Sequence, residues 1–167
     1  MTPSIKKYLL LTLFLFPGIL ELKAQHLTIS NLKSLYQNNL EFSNEFLTIK
    51  GFEFFKTEEN KDGGFSTWWA YERNTNNDRA RYFIAKSSNV KDYGIVWYQV
   101  WNGDEINVVK NQCKSLGYKL IKIERDKLGS LQSKYSNGVY EVIFTSGIIE
   151  ESNTNAHTIT FQRHFRE

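Results

Sequence analysis

The fold is decided by a short motif that occurs twice, at residues 49–54 (Ile-Lys-Gly-Phe-Glu-Phe) and at residues 115–120 (Ser-Leu-Gly-Tyr-Lys-Leu). In each copy a helical pattern stops at a glycine, an aromatic residue follows, and an apolar residue comes two positions later. Glycine takes the left-handed conformation that ends a helix at low cost. The motif therefore predicts a helix that returns directly into a strand.

The two motif glycines, Gly51 and Gly117, lie 66 residues apart. Because the order of strand-like stretches after each glycine also agrees, the spacing predicts an internal duplication. The half-repeats are expected at about 26–101 and 102–167, within a single globular domain at 25–167. The alternative is that a common helix-to-strand connection recurs by chance.

Three helical segments are predicted around these motifs. Ser30 is expected to cap a first helix that ends near Asn38, and Ser43 to cap a second that ends before Gly51. Asn102, with Glu105 three residues later, resembles a capping box. It opens a third helix with an apolar face formed by Ile106, Val109, Cys113 and Leu116.

Strand character is concentrated in stretches rich in aromatic and β-branched residues: 52–57, 66–73, 81–86, 94–101, 118–124, 131–135, 139–145 and 156–164. Short polar turns join most of them, which favours antiparallel pairing. The sequence thus predicts an α+β protein in which helices cover one face of an antiparallel sheet and leave the other face open.

The chain resembles the β-lactamase inhibitor proteins in this arrangement of tandem helix-plus-four-strand units. The features that carry the resemblance are the junctions Gly51-Phe52 and Gly117-Tyr118 and the aromatic strands. The resemblance covers most of the domain and implies a concave, aromatic-lined surface for a protein partner. The chain departs from those inhibitors in lacking the cysteine pairs of their repeats, and it is otherwise similar to small uncharacterised secreted bacterial proteins.

The open face is the candidate functional surface. In residues 95–101 alternation places Val96, Tyr98 and Val100 on one side and the Trp-Gln-Trp set on the other. In residues 67–71 the two adjacent tryptophans must point to opposite sides. Trp and Tyr are enriched among the residues that dominate protein interfaces. We therefore predict a protein- or peptide-binding face that contains Trp97, Gln99, Trp101 and one of the two tryptophans Trp68 and Trp69, with Tyr71 nearby.

Other interpretations of the aromatic residues stay open. The rings can simply fill a two-sided core or cover the sheet against water. They can also stack on sugars, with Gln99 and Glu72 as polar neighbours, in a carbohydrate-binding module. A third alternative is a small enzyme that acts on envelope or extracellular polymers through a pair of carboxylates facing one cleft.

The pattern of residues 1–24 at the N-terminus predicts a secretory signal peptide. Lys6 and Lys7 precede an uncharged apolar run at 8–16, and cleavage is expected after Ala24. The run is shorter than the roughly 20 residues that span a bilayer, although an uncleaved N-terminal anchor is the alternative. The mature protein is therefore expected to be secreted or periplasmic, with no stable membrane anchor.

The net charge of the chain limits the kinds of partner that we expect for it. The formal net charge is +3 over 167 residues, and loss of the signal removes three lysines and one glutamate, which leaves +1. Such a nearly neutral domain has little attraction for phosphate backbones, so no nucleic-acid partner is predicted.

Cys113 is the only cysteine and is interpreted as a small buried hydrophobe. No catalytic motif, cofactor or metal site is predicted, and His157 and His164 are expected on opposite faces of one strand.

Overall fold

The structure, a computed structural model, describes residues 26–61, 63–88, 94–149 and 154–164. In these ranges the chain forms three helices and eight strands: α1 (Ile29–Gln37), α2 (Leu40–Ile49), β1 (Glu53–Glu59), β2 (Phe65–Tyr71), β3 (Tyr82–Ser88), β4 (Ile95–Val100), α3 (Gly103–Ser115), β5 (Lys119–Arg125), β6 (Leu131–Ser136), β7 (Tyr140–Ile149) and β8 (Thr154–Arg163). The predicted signal peptide at 1–24 lies outside the described residues. None of the described helices has the length and apolar character needed to cross a bilayer.

All eight strands form one antiparallel sheet in the order β1-β2-β3-β4-β8-β7-β6-β5. Each half of the chain contributes a four-strand meander, and the two meanders join where β4 pairs with β8. The edges of the sheet are therefore β1 and β5. The α+β class with an antiparallel sheet, predicted from the strand composition and the short turns, is confirmed.

One face of the sheet is covered by the helices. Leu35 of α1, Leu47 of α2 and Val109 of α3 belong to the same core cluster as alternate residues of the strands. In β4 these alternate residues are Val96, Tyr98 and Val100, whereas the residues between them are only half-buried. We call the covered side the helix face and the other side the open face.

The two motif glycines adopt the conformation that the sequence predicts. Gly51 and Gly117 both have φ +82°. The residue after each glycine donates its amide back into the last helical turn, from Phe52 to Leu47 at 2.9 Å and from Tyr118 to Cys113 at 3.1 Å. This is the geometry of a glycine-terminated helix, and it sends the chain straight into β1 and β5.

The strand register repeats as well. The pairing of β1 with β2 shifts between Phe54 and Lys56, and the pairing of β5 with β6 shifts between Leu120 and Lys122, again 66 residues later. The register of the inner strands repeats in the same way, with an offset of 58 residues from β3 to β7 and 63 from β4 to β8. Positions that correspond in this repeat are called equivalent below.

Helix starts differ from the predicted ones. The N-cap of α1 is Thr28, not Ser30, because Thr28 and Asn31 exchange side-chain-to-backbone hydrogen bonds in a closed capping box. The N-cap of α2 is Asn39, and Ser43 is instead buried inside that helix. An earlier cap lets each helix present more of its apolar face to the sheet.

The N-terminus of α3 is also capped differently from the predicted capping box. Asn102 accepts a hydrogen bond from the amide of Asp104. The carboxylate of Glu105 does not reach back to Asn102 but accepts a hydrogen bond of 2.8 Å from the hydroxyl of Tyr82 on β3. A tertiary contact therefore takes the side chain that the sequence pattern assigns to a local one.

Candidate functional site

The two adjacent tryptophans of β2 lie on opposite faces, as alternation requires. Trp69 is on the helix face with 1% of its surface exposed, and its indole N–H donates to the Asn44 side chain of α2 at 3.0 Å. Trp68 is half-buried on the open face. Of the two candidates for the binding face, Trp68 therefore lies on the open side, and Trp69 is corrected to a core residue.

Tyr71 shares the face of Trp69. Its ring packs against Phe52 with a centroid distance of 5.4 Å and against Tyr82 at 5.7 Å. Because residues two apart in a strand point the same way, Tyr71 follows Trp69 toward the helices. The predicted set therefore loses Tyr71 as well as Trp69 from the open face.

Trp68 and Trp97 form a ring pair at the centre of the open face of β2–β4. Their ring centroids are 6.5 Å apart and their planes differ by 10°. Both tryptophans lie directly opposite Ala85 on the intervening strand β3. The small side chain of Ala85 lets the rings close over it, and Ala85 is 0% exposed. A single small residue thus positions two large rings.

A cavity of about 300 Å³ lies around this ring pair. Three members of the predicted set, Trp68, Trp97 and Gln99, are brought together in its lining. Sequence analysis did not identify the other lining residues as functional: Glu58, Asn60, Ser66, Phe83 and Thr158. We call this the ring-pair cavity.

Three polar residues of the ring-pair cavity, Glu58, Asn60 and Ser66, already have partners. Asn60 accepts a hydrogen bond from Ser66 at 2.7 Å and donates to Ser87 at 2.9 Å, and so fixes the β1–β2 turn to β3. Glu58 forms an ion pair of 2.7 Å with Lys56, whose ammonium also lies 5.7 Å from the Trp68 ring centroid. The Lys56 ammonium holds the pKa of Glu58 below its usual range.

The indole nitrogen of Trp68 is an unpaired donor. Nε1 of Trp68 is buried and has no hydrogen-bond partner among the described residues. It lies close enough to the Glu58 carboxylate to help lower the pKa of Glu58, but the two groups are not placed to form a hydrogen bond. A buried donor without a partner costs about 1–3 kcal/mol. A ligand that offered an acceptor here would recover part of that cost.

Trp101 lies beyond the end of β4 and does not line the ring-pair cavity. Its indole N–H donates to the backbone carbonyl of Ala80 at 2.9 Å. This hydrogen bond ties the end of β4 to the segment that precedes β3. The structure therefore gives Trp101 an anchoring contact at the border of the open face.

At two positions the second half carries a charged residue where the first half carries a ring. Lys134 is equivalent to Trp68, and Glu141 to Phe83. Glu124 pairs with Lys122 at 2.6 Å and with Lys134 at 2.7 Å, and these two lysines lower its pKa to about 2. Glu141 accepts a hydrogen bond of 3.2 Å from Gln162 and lies 3.3 Å from His164. We call Trp68, Phe83 and Trp97 the aromatic half, and these residues the charged half: Lys122, Glu124, Lys134, Glu141, Gln162 and His164.

A second cavity, of about 440 Å³, lies at the outer end of the charged half. Lys119, Ser136, Asn137 and His164 supply its polar lining, and no carboxylate lines it. The ring-pair cavity has one carboxylate, Glu58. Neither cavity therefore holds two facing carboxylates, the arrangement that a glycosidase-like site requires.

Of the remaining nucleophile and metal candidates, Cys113 and His157 line neither cavity, and His164 lines the second. Cys113 is fully buried, as interpreted from the sequence, and burial raises the pKa of its thiol to about 12. His157 lies beside Val100 on the helix face and bonds Ser146, whereas His164 contacts Glu141 on the open face. Across the described ranges no group of three or more His, Cys, Asp or Glu side chains is placed to hold a metal.

Comparison with known proteins found no matching family model, no matching curated protein and no matching solved structure.

Proposed function

We propose that this protein is a secreted or periplasmic, non-catalytic binding protein that takes a protein or peptide partner on the aromatic half of its open face. The observation that carries the proposal is the Trp68–Trp97 ring pair, which stands preformed over Ala85 beside a cavity of about 300 Å³. Large, rigid aromatic residues in such positions dominate the binding energy of many interfaces. Because the strand register fixes both rings, little side-chain freedom is lost when a partner docks.

Polar groups at the cavity determine how a bound ligand is oriented. The Trp68 indole is a buried donor without a partner, and the Gln99 amide, which offers both donors and an acceptor, lines the same cavity. A backbone peptide group also offers one donor and one acceptor. We propose that the partner places a side chain against the rings while a neighbouring peptide group bonds Gln99 and Trp68.

A protein partner also agrees with the resemblance to the β-lactamase inhibitor proteins, which stays a proposal and names no target. An enzymatic role has less support. Among the described carboxyl groups, Glu58 and Glu124 have displaced pKa values, and lysines lower the pKa of both. A general acid at neutral pH needs the opposite displacement.

A carbohydrate-binding module is the second candidate. It is favoured by the five hydrogen-bonding side chains that line the cavity beside three aromatic rings: Glu58, Asn60, Ser66, Gln99 and Thr158. Three of these, Glu58, Asn60 and Ser66, are already engaged with other residues of the protein. We therefore place the peptide ligand first.

The proposal is tested by selecting random peptides on the purified protein and probing a glycan array with the same sample. Trp97→Thr and Trp68→Lys insert the residues of the equivalent positions, Thr160 and Lys134, and so remove one ring at a time. Lys134→Ala is the matched control on the charged half. Peptides that bind the parent and the control but neither ring variant support the proposal. Binding of glycans alone moves the function to the second candidate.

Ring variants that lose their circular dichroism spectrum are replaced by Gln99→Ala, which keeps both rings. Peptides that bind the folded ring variants as well as they bind the parent would contradict the proposal. So would a parent protein that enriches no peptide.

A further inference from the structure

The β5–β6 hairpin leaves five large apolar side chains in solvent, and three of them lie on one side of the sheet edge. Leu120, Ile123 and Leu131 are 48%, 61% and 46% exposed. Ile123 lies opposite the buried Ser133, and Leu120 opposite the buried Tyr135, so these side chains point to the helix face. They form an uncovered apolar strip at the edge of the sheet. Such strips at a sheet edge favour association.

The equivalent strip in the first half is also apolar at two of its three positions, where Phe54 and Phe65 are 58% and 52% exposed. Ile123 is equivalent to Thr57, and Leu116, which is 51% exposed, is equivalent to Lys50. One residue earlier the exchange runs the other way, because the exposed Ile49 of the first half is equivalent to Ser115. Lys56 and Glu58 flank Thr57 as Lys122 and Glu124 flank Ile123, so it is the central Ile123 that favours β5 over β1 as the associating edge.

The charges of β5 are self-complementary about its centre. Lys122 and Glu124 flank Ile123 and form an ion pair with each other at 2.6 Å on the open face. If two β5 strands pair antiparallel with Ile123 opposite Ile123, each Lys122 faces a Glu124 of the other strand. Opposite charges directly across a strand pair stabilise it. The same pairing buries both Ile123 side chains on the helix face.

We infer that β5 is a self-association edge, through which two copies of this chain join antiparallel about a two-fold axis at Ile123. The pairing closes on itself, as isologous contacts do, and continues the sheet across both copies. The aromatic half lies on β2–β4, at the other end of the strand order. Both copies therefore keep the ring-pair cavity accessible, and the dimer presents two.

The first test measures mass. Protein produced from residues 1–167, with the proposed signal removed by the producing cell, is measured by analytical ultracentrifugation between ~1 and ~100 µM. The expected mass approaches twice that of the monomer at the upper end. Ile123→Lys places two ammonium groups opposite each other and is expected to shift the equilibrium to monomer by at least tenfold in dissociation constant. Thr57→Lys, at the equivalent position of β1, is expected to leave the mass unchanged.

The second test reports the register. Directly opposite residues of antiparallel strands have Cα atoms about 4.5–5.5 Å apart, within the range that a disulfide spans. Ile123→Cys is therefore expected to form a covalent dimer under mild oxidation, and Thr57→Cys is not. The natural Cys113 is fully buried and does not compete. Because position 123 is exposed, the substitution does not threaten the fold.

Three results would each overturn the inference. The parent remains a monomer at every concentration, Thr57→Cys cross-links as readily as Ile123→Cys, or cross-linking occurs only when the two cysteine variants are mixed. The last result would mean that β5 pairs with β1 of the next copy and builds an open ribbon. None of these results affects the binding proposal for the aromatic half, which is tested separately.

Discussion

Trp97 and Thr160 lie directly opposite each other on β4 and β8, and they are also equivalent positions of the repeat. Only a pair on the pseudo-two-fold axis between the two halves can satisfy both conditions. The axis therefore passes between an indole and a hydroxyl. On the Trp97 side the open face is aromatic, and on the Thr160 side it is charged. One scaffold carries two different surfaces.

Removing the ring of Trp97 tests that division. Trp97→Thr is expected to weaken peptide binding by at least about 2 kcal/mol, roughly 30-fold in Kd, because a central aromatic anchor is lost. Isothermal titration calorimetry with a selected peptide measures the change. Thr160→Ser, on the other side of the axis, is the matched control. Equal losses in both variants would show that the two surfaces act alike.

Ala85 offers a variant that keeps every ring. Ala85→Ile introduces the residue found at the equivalent position, Ile143, beneath the Trp68–Trp97 pair. We expect the rings to separate, the free energy of unfolding to fall by about 1–3 kcal/mol through overpacking, and peptide binding to weaken. Urea denaturation and near-ultraviolet circular dichroism measure the first two effects. Ile143→Ala, in the charged half, is expected to leave binding unchanged, and unaltered binding by Ala85→Ile would contradict this account of the cavity.

The two tryptophans of β2 are expected to differ in stability. Trp69→Ala removes a fully buried ring and its hydrogen bond to Asn44, and is expected to cost about 3–5 kcal/mol in the free energy of unfolding. Trp68→Ala is expected to cost clearly less, because that ring is only half-buried. Urea titrations of both variants test the assignment of faces. A larger loss for Trp68→Ala would reverse it.

The protein is expected to lose stability as the solution becomes alkaline. Burial raises the pKa of Cys113 to about 12 from an ordinary 9, and burial also raises that of Tyr118 to about 12. Burial, together with the hydrogen bond to Glu105, raises the pKa of Tyr82 to about 12. Because these groups ionise more readily in the unfolded chain, their stabilising effect is complete below about pH 9 and is lost as the pH rises toward 12.

Thermal unfolding between pH 7 and 11 checks this direction. The melting temperature is expected to fall above about pH 9, and Cys113→Ala is expected to make the fall shallower. In the folded protein the thiol is also expected to resist labelling reagents at pH 8. Labelling as fast as in the denatured protein would show that Cys113 is accessible.

The pattern of residues 1–24 predicts a processed N-terminus. If these residues act as the proposed signal, intact-mass measurement of protein recovered outside the cytosol is expected to give a chain that begins at Gln25. Ala24→Pro is expected to block this cleavage, since the prediction places the cut directly after Ala24. A mass that corresponds to the uncleaved chain would instead favour an N-terminal anchor.

The sequence was sufficient for the class of fold and for the two junctions at Gly51 and Gly117. These features depend on short stretches of sequence: glycines end helices, and aromatic stretches form strands. Such local patterns can be recognised in a single sequence. The sequence did not decide which of Trp68 and Trp69 is buried against the helices. Adjacent tryptophans satisfy alternation in either phase, and the packing of α2 against Trp69 decides which of them is buried.

The ring-pair cavity depended on contacts that no local pattern reveals. Phe83 follows Tyr82 and precedes Ile84, so its apolar neighbours conceal which face it occupies. Glu58 and Thr158 line the same cavity although they are 100 residues apart, because β1 and β8 flank the same central strands. Membership of the site therefore followed from sheet order, which the sequence pattern left open.

The most direct test of the binding proposal uses the indole N–H resonances of the four tryptophans. Their signals are assigned by single Trp→Phe variants and followed by nuclear magnetic resonance while a selected peptide is added. The account predicts that the Trp68 and Trp97 signals move, with Trp68 shifting as its unpaired donor gains an acceptor, while Trp69 stays in place. Movement of Trp69 without Trp68 and Trp97, or no movement at saturating peptide, would contradict it.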